Sequence, residues 1–465
     1  MVQDVVRTRN PVTIAALVGA GLVSWTCTQG PIRADAPDAP ELAAGGEDDL
    51  HTRGDTEAVA EAMEAPAERD LTVYVDEGMP GLRIPVHDPS GRALDGFYAG
   101  LERARSGGKA RIAVWGASHV AADFFTGYVR EQLQSRFGDA GHGFILPAQP
   151  WRSYRHLHVD VESNWRRWDT HRIRTGNWVE DHYGYAGVAV ESDRSDAWGA
   201  VTTAEHGAIG RHAGVYDVWF LKQEGGGDFD VFIDGRRVGR VPTAGEERAP
   251  GYAAFQVEDG PHRFEVRVRG NGPVRLFGVV VERESPGVVV DTLGINGARV
   301  QSHLYWHDAL YREHLRRRAP DMVVLAYGTN ESGDDDVPIE EYEARLRQVV
   351  ARMREVVPEA SCLLVGPTDR PMVEAGQVAD RPRTAQLVEV QRRVSEETGC
   401  AFFDVVAFMG GPLSMQQWVE LEYGQSDYIH FTRAGYERLG RALFEAVMRD
   451  YPAPLPEAGA ALAGR

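Results

Sequence analysis

The 465-residue chain has little cysteine: Cys27, Cys362 and Cys400 are its three, with no CxxC pair and no metal-ligand spacing. That scarcity excludes a disulfide-scaffolded fold and a cysteine-held metal centre. The apolar, strand-like runs around Cys362 and Cys400 predict plain core residues. Positive charge is also scarce. The 50 Lys and Arg against 69 Asp and Glu leave a formal charge of −19, which argues against a nucleic-acid groove or an anionic membrane surface as partner and suits neutral ligands. Internal repeats are missing. What is present places the chain among globular proteins: 43% hydrophobic and 26% charged residues can bury a core, and the length predicts two folded units with tails.

The N-terminus supplies Arg7 and Arg9, then the apolar stretch "PVTIAALVGAGLVSW", then Ala34-Asp35-Ala36 as a small-x-small site. Residues 1–33 therefore read as an export signal or a membrane anchor, predicting a periplasmic or envelope-associated protein. Cys27 opens a lipoprotein alternative, although Ser24-Trp25-Thr26 fits that pattern poorly, and a merely apolar helix is the plain one. Residues 34–70, rich in Ala, Pro and acids, predict a disordered acidic linker, and 453–465 a flexible tail.

Strand and helix patterns alternate over 71–150, with a helix over "LDGFYAGLERARSG", a strand over "RIAVW" and a helix over "VAADFFTGYVREQLQSRFG" ending at Gly138. Between 151 and 286 helical spacing disappears. Short alternating segments such as "VYDVWFL", "DFDVFIDGRRVGRV" and "HRFEVRVRG" predict an antiparallel jelly-roll β-sandwich. From 287 to 452 strands and helices alternate again, "DMVVLAYG", "IEEYEARLRQVVARMREVV" and "SCLLVGP" among them. The fold class predicted is α/β: a three-layer sandwich with a central parallel sheet, discontinuous over 71–150 and 287–452, and interrupted by an inserted β-sandwich.

Four short blocks fall at strand ends or before the last helix. Ser118 follows "RIAVW" directly, where α/β sheets bind ligands. A serine there is either a nucleophile or a helix N-cap, and as a nucleophile it needs a base. His119 is poorly placed, because neighbouring side chains diverge at such a corner. Asp427 and His430, three apart in "QSDYIHF", offer an imidazole with a carboxylate to orient it, or simply a surface pair. Asn330 in "AYGTNES" offers an amide for a developing oxyanion, or a turn asparagine. Gly297 in "LGINGA" offers an unobstructed backbone N–H, or a loop glycine.

The order Ser, Gly, Asn, Asp-x-x-His resembles the SGNH, or GDSL-type, hydrolase family. The resemblance implies a flavodoxin-like sheet, Ser118, Asp427 and His430 as catalytic residues, and an oxyanion hole from Ser118, Gly297 and Asn330. Ala117 departs from the family's Gly-Asp-Ser, but the triad acid would be Asp427. "GASHVAADFFTG", "GDAGHGF", the insert and "GINGA" are similar to exported peptidoglycan O-acetylesterases, whose insert is like a carbohydrate-binding module.

The resulting expectation is a serine esterase removing acyl, chiefly acetyl, groups from an extracytoplasmic glycan without metal or organic cofactor. Its alternatives are an O-acyltransferase using the same triad and a non-catalytic glycan-binding envelope protein. Trp151, Tyr154, Trp165, Trp168, Trp178, Tyr183, Tyr185 and Trp198 crowd the first half of the insert and either stack on sugars or fill its core. "GDDDVP", 333–338, lacks the alternation of a calcium loop and reads as a solvated turn.

Overall fold

The computed structural model describes residues 75–76, 79–173, 181–374, 377–459 and 461. The leader, the acidic linker, Cys27 and Trp178 lie outside the described residues, as do the last positions of the tail. No helix among the described residues is long and apolar enough to cross a membrane.

Five parallel strands form the central sheet: β1 (Lys109–Gly116), β2 (Gly287–Gly294), β3 (Met322–Ala326), β4 (Ser361–Val365) and β5 (Ala401–Phe403). Their order is β2-β1-β3-β4-β5, the doubly wound flavodoxin-like arrangement, with its switch point at the carboxyl ends of β1 and β3. The strands read as apolar runs because both faces are covered. Side-chain alternation divides them between two cores. Ile112, Val114, Val290, Val324 and Phe403 face one, and Ala113, Trp115, Leu325, Leu364 and Phe402 face the other.

The first core is closed by α1 (Asp95–Arg105), α3 (Phe124–Phe137) and α9 (Arg433–Met448), through Phe97, Leu101, Phe125, Leu133, Leu439 and Leu443. A short α2 (Ser118–Ala121) sits between β1 and α3. The second core is closed by α4 (Asp308–Arg318), α5 (Ile339–Val356) and α6 (Pro382–Thr398), which contribute Leu315, Leu346, Val350 and Leu387. Local sequence explains these helices: α5 opens after Pro338 with Glu340 and Glu341 in its first turn, and α6 starts on Pro382 and stops at left-handed Gly399. Small helices α7 (Val405–Met409) and α8 (Ser414–Glu420) precede α9.

One prediction needs revising here. The helix expected through "VAADFFTGYVREQLQSRFG" is broken, because Asp123 takes a left-handed backbone (φ 53) between α2 and α3. Its buried carboxylate accepts bonds from Thr126, Arg130 and Thr292, which hold a conformation that aspartate adopts more readily than most residues. Gly138 does end α3.

The insert is a pair of antiparallel sheets. One has five strands, in the order Arg236–Pro242, Asp228–Ile233, Arg263–Val268, Trp198–Thr203 and Val159–Ser163. The other runs Ala249–Gly260, Ala213–Lys222, Val274–Glu282, Val188–Ser192 and Asp169–Arg172, and Gly143–Ile145 joins it along Val274–Glu282. That last strand lies before the segment whose pattern signalled the sandwich. The sandwich interior and the second core of the parallel sheet are one continuous hydrophobic cluster.

A buried ionic group links the two layers. Arg318 donates to both oxygens of Asp291 on β2 (2.5 and 2.8 Å) and to Glu282 at the end of the insert (2.5 Å). Lys109 on β1 also reaches Glu282, at 2.7 Å. Burial pushes the Glu282 carboxyl up, but these cations outweigh it and hold the group well below the usual carboxylate range.

The cysteines depart from expectation as well. Cys362 on β4 and Cys400 just before β5 are buried, as predicted, yet they are joined by a disulfide. The pairing of β4 with β5, with Leu363 opposite Ala401, brings the two sulfurs together, and nothing in a spacing of 38 residues signals it. Replacing both cysteines by alanine is expected to lower unfolding stability by about 2–4 kcal/mol, read as an earlier urea midpoint. An unchanged midpoint would show that the bond contributes nothing.

Candidate active site

β1 delivers Ser118 to the carboxyl edge. Gly116 is required there, because a Cβ would lie 2.7 Å from the Ala326 carbonyl of β3. The helix cap at this corner is Ala117, with no side-chain cap bond, so the Ser118 hydroxyl is not used as a capping group. It lies 2.8 Å from His430 Nε2 instead.

His430 sits in a pinned loop between α8 and α9. Gln425 N–H donates to the His430 carbonyl (2.7 Å), and Tyr428 takes a left-handed backbone (φ 56). Thr432 then caps α9 through Gly435 N–H. The Asp-x-x-His spacing works through this tight turn: Asp427 Oδ1 accepts from the backbone N–H groups of Ile429 and His430, both at 2.9 Å. Its Oδ2 lies 2.7 Å from His430 Nδ1. Burial raises the Asp427 pKa, but the imidazole and the two backbone donors win and hold it at about 2. The result is an ionised carboxylate on one ring nitrogen and a serine hydroxyl on the other.

The glycine and asparagine blocks follow β2 and β3, the strands on either side of β1. Gly297 follows β2 with φ 74, a backbone that favours glycine, and the space its side chain would fill is open. Asn330 follows β3, and its Nδ2 donates to the Ala298 carbonyl at 2.9 Å. One amide hydrogen is thereby engaged and the second remains.

Glu331 is a residue that the sequence reading overlooked. Buried, it accepts Val300 N–H on one oxygen (2.8 Å) and Gly328 N–H on the other (3.0 Å), tying the two blocks together. Burial pushes its carboxyl up, and the Val300 N–H opposes that shift. The only sequence signal was an acid directly after Gly-Thr-Asn.

His119 bonds Tyr436 on α9 and packs 5.3 Å from the His430 ring. Its Nδ1 lies 2.9 Å from the Tyr436 hydroxyl, while its Nε2 is buried without a hydrogen-bond partner. Burial first, then the charge of His430, lowers its pKa to about 3. An unpartnered buried polar atom costs about 1–3 kcal/mol.

Asp123, His142 and His156 bring ligand atoms within 4.8 Å of one another, close enough to suggest a cation. Protein groups already engage the atoms that face one another, with His142 Nε2 lying 3.2 Å from His156 Nδ1. Arg130 binds both Asp123 oxygens (3.1 and 2.9 Å), Leu157 N–H adds to one, and the Tyr154 hydroxyl engages His156 Nε2. Burial raises the Asp123 pKa, and Arg130 and His156 bring it down to about 2. The guanidinium occupies a cation's place, and the cluster fastens α3 to β2 and to the entry of the insert.

Among the predicted aromatics, Trp151, Tyr154, Trp168, Tyr183 and Tyr185 are buried core, whereas Trp165 and Trp198 are partly exposed. In the Asp334–Asp336 turn the acids meet arginines: Arg299 bonds Asp334 at 2.6 Å and Arg381 lies 3.5 Å from Asp335.

Residues 259–438 match the GDSL-like Lipase/Acylhydrolase family. That span holds Gly297, Asn330, Asp427 and His430 and begins after Ser118. A solved peptidoglycan O-acetylesterase is similar over 79% of this chain and 99% of its own, at 24% identity and a TM-score of 0.66, which shows a shared fold. An acetylxylan esterase from Geobacillus stearothermophilus is similar over 37% of this chain and 76% of its own, at 23% identity and a TM-score of 0.28. No curated protein matches the chain in sequence.

Glu331→Gln tests the tie between the two blocks. Glutamine can accept only one of the two backbone bonds, and the stranded N–H is expected to cost about 1–3 kcal/mol in the denaturant midpoint. A midpoint equal to wild type would contradict the described role.

Proposed function

We propose, from the premise that the chain carries a GDSL-like lipase/acylhydrolase domain, that it is a serine esterase removing O-acyl groups, chiefly acetyl, from an extracytoplasmic glycan such as peptidoglycan. The observation that carries this reading is the continuous relay from Ser118 Oγ to His430 Nε2 (2.8 Å) and from His430 Nδ1 to Asp427 Oδ2 (2.7 Å).

His430 takes the hydroxyl proton as Ser118 Oγ attacks the ester carbonyl. Asp427 holds the imidazole in the tautomer that presents a bare Nε2, and stabilises the imidazolium that follows. The oxyanion of the tetrahedral intermediate is received by the backbone N–H groups of Ser118 and Gly297 and by the second amide hydrogen of Asn330. His430 returns its proton to the leaving sugar oxygen. Water then attacks the acyl-serine with His430 again as base, releasing the acid and restoring the hydroxyl.

Ala117 does not weaken this reading, because it supplies only the backbone before α2 and the serine-imidazole contact is formed without the family aspartate. The disulfide between Cys362 and Cys400 supports an oxidising compartment, and with it export to the periplasm or envelope. Trp165 and Trp198, the partly exposed ones among the described aromatics that crowd the first half of the insert, are the residues we assign to glycan contact there.

Turnover of p-nitrophenyl acetate and release of acetate from an acetylated glycan test the reading. Ser118→Ala is expected to fall to background, and Asn330→Ala to lose about 10²–10³ in kcat. Asp427→Asn, which reverses the imidazole tautomer, is expected to lose on the order of 10⁴. Wild-type turnover by Ser118→Ala would end the assignment. Recovery of acetyl on an added glycan acceptor instead of as free acetate would replace hydrolysis by transfer.

A further inference from the structure

His119 and Tyr436 stand directly behind the proposed base, and the mechanism leaves both unused. The His119 ring lies 5.3 Å from the His430 ring, centroid to centroid, with the planes inclined by 47°. Tyr436 is fixed on both sides. Phe124 stacks on it at 5.8 Å and 27°, and Phe431 meets it edge-on at 5.4 Å and 86°.

The Tyr436 hydroxyl lies 2.9 Å from His119 Nδ1, while His119 Nε2 is buried without a partner. An apolar side chain would avoid the stranded polar atom, so histidine here costs stability. What it provides in return is a hydrogen-bonded tie from the residue next to Ser118 to Tyr436, and both rings pack against Phe431, the residue next to His430, at 6.0 and 5.4 Å.

We propose that His119 and Tyr436 are positioning residues for the esterase reaction: the hydrogen bond between the Tyr436 hydroxyl and His119 Nδ1, with both rings packed on Phe431, locks the His430 loop to the Ser118 corner. Neither residue touches the reacting atoms. Their effect is the register between imidazole and hydroxyl, for which small misplacements are costly. The same burial that strands Nε2 keeps the His119 ring neutral, so the imidazolium formed at His430 during turnover meets no second cation there.

The inference rests on the esterase reading, and the test separates the two. In the full chain with p-nitrophenyl acetate, Tyr436→Phe and His119→Leu are each expected to lower kcat by about ten- to a hundredfold and to leave KM within about twofold. The double variant should be no slower than the slower single variant, since both break the same hydrogen bond. His119→Asn, whose side-chain oxygen can stand near the position of Nδ1, should regain most of the loss. Tyr436→Phe removes one hydroxyl only, and an unchanged near-ultraviolet circular dichroism spectrum keeps its result interpretable if His119→Leu unfolds. Full activity in Tyr436→Phe, losses that multiply in the double variant, or a change confined to KM would overturn the clamp. If Ser118→Ala were as active as wild type, the esterase reading itself would fail. An inactive Ser118→Ala beside a fully active Tyr436→Phe would remove the clamp alone.

Discussion

The hydrogen bond between Ser118 Oγ and His430 Nε2 joins residues 312 positions apart, and most of the architecture can be read as what it takes to hold that contact. Serine arrives on β1, the strand at the centre of the sheet order's switch point. Histidine arrives on a loop fixed at one end by the Asp427 turn and at the other by the Thr432 cap of α9. Each group alone is an ordinary polar side chain. Only such an apposition, with an ionised carboxylate behind the ring, can make a weak alcohol into a nucleophile.

The insert contributes to this rigidity beyond any role in recognition. Trp115, two positions before Ala117 on β1, donates through Nε1 to the Tyr185 carbonyl of the insert (3.1 Å) and packs edge-on against that ring at 5.2 Å. Arg318 and Glu282 tie the same layers with buried charge. Such groups are expensive to desolvate, and losing one partner strands the other. The two units are therefore mechanically one at the strand that presents the serine. Asp123 plays the matching part on the opposite face, holding the break between α2 and α3 while Arg130 neutralises it.

Much of this was legible in the sequence because it follows from periodicity and from residues at strand ends. Apolar runs before Ser118, Gly297 and Asn330 announced parallel strands, and the Asp427–His430 spacing announced an oriented imidazole. The rest depended on partners remote along the chain. Cys362 and Cys400 each read as core, since which cysteines meet is decided by the β4–β5 register. Glu331 was overlooked, since one of its two backbone donors, Val300, belongs to another segment. His119 read as poorly placed for the base, and its bond to Tyr436 exists only once α9 brings that residue beside it. Asp123 broke a helix that its neighbours favour, because tertiary hydrogen bonds overrode local preference.

The central claim is that Ser118 carries the acyl group during turnover. It is tested most directly by intact-protein mass spectrometry after exposure to a fluorophosphonate, with peptide mapping of the adduct. The account predicts one adduct, on Ser118, formed far more slowly in His430→Ala. An adduct on another serine, or equal labelling without the imidazole, would contradict it.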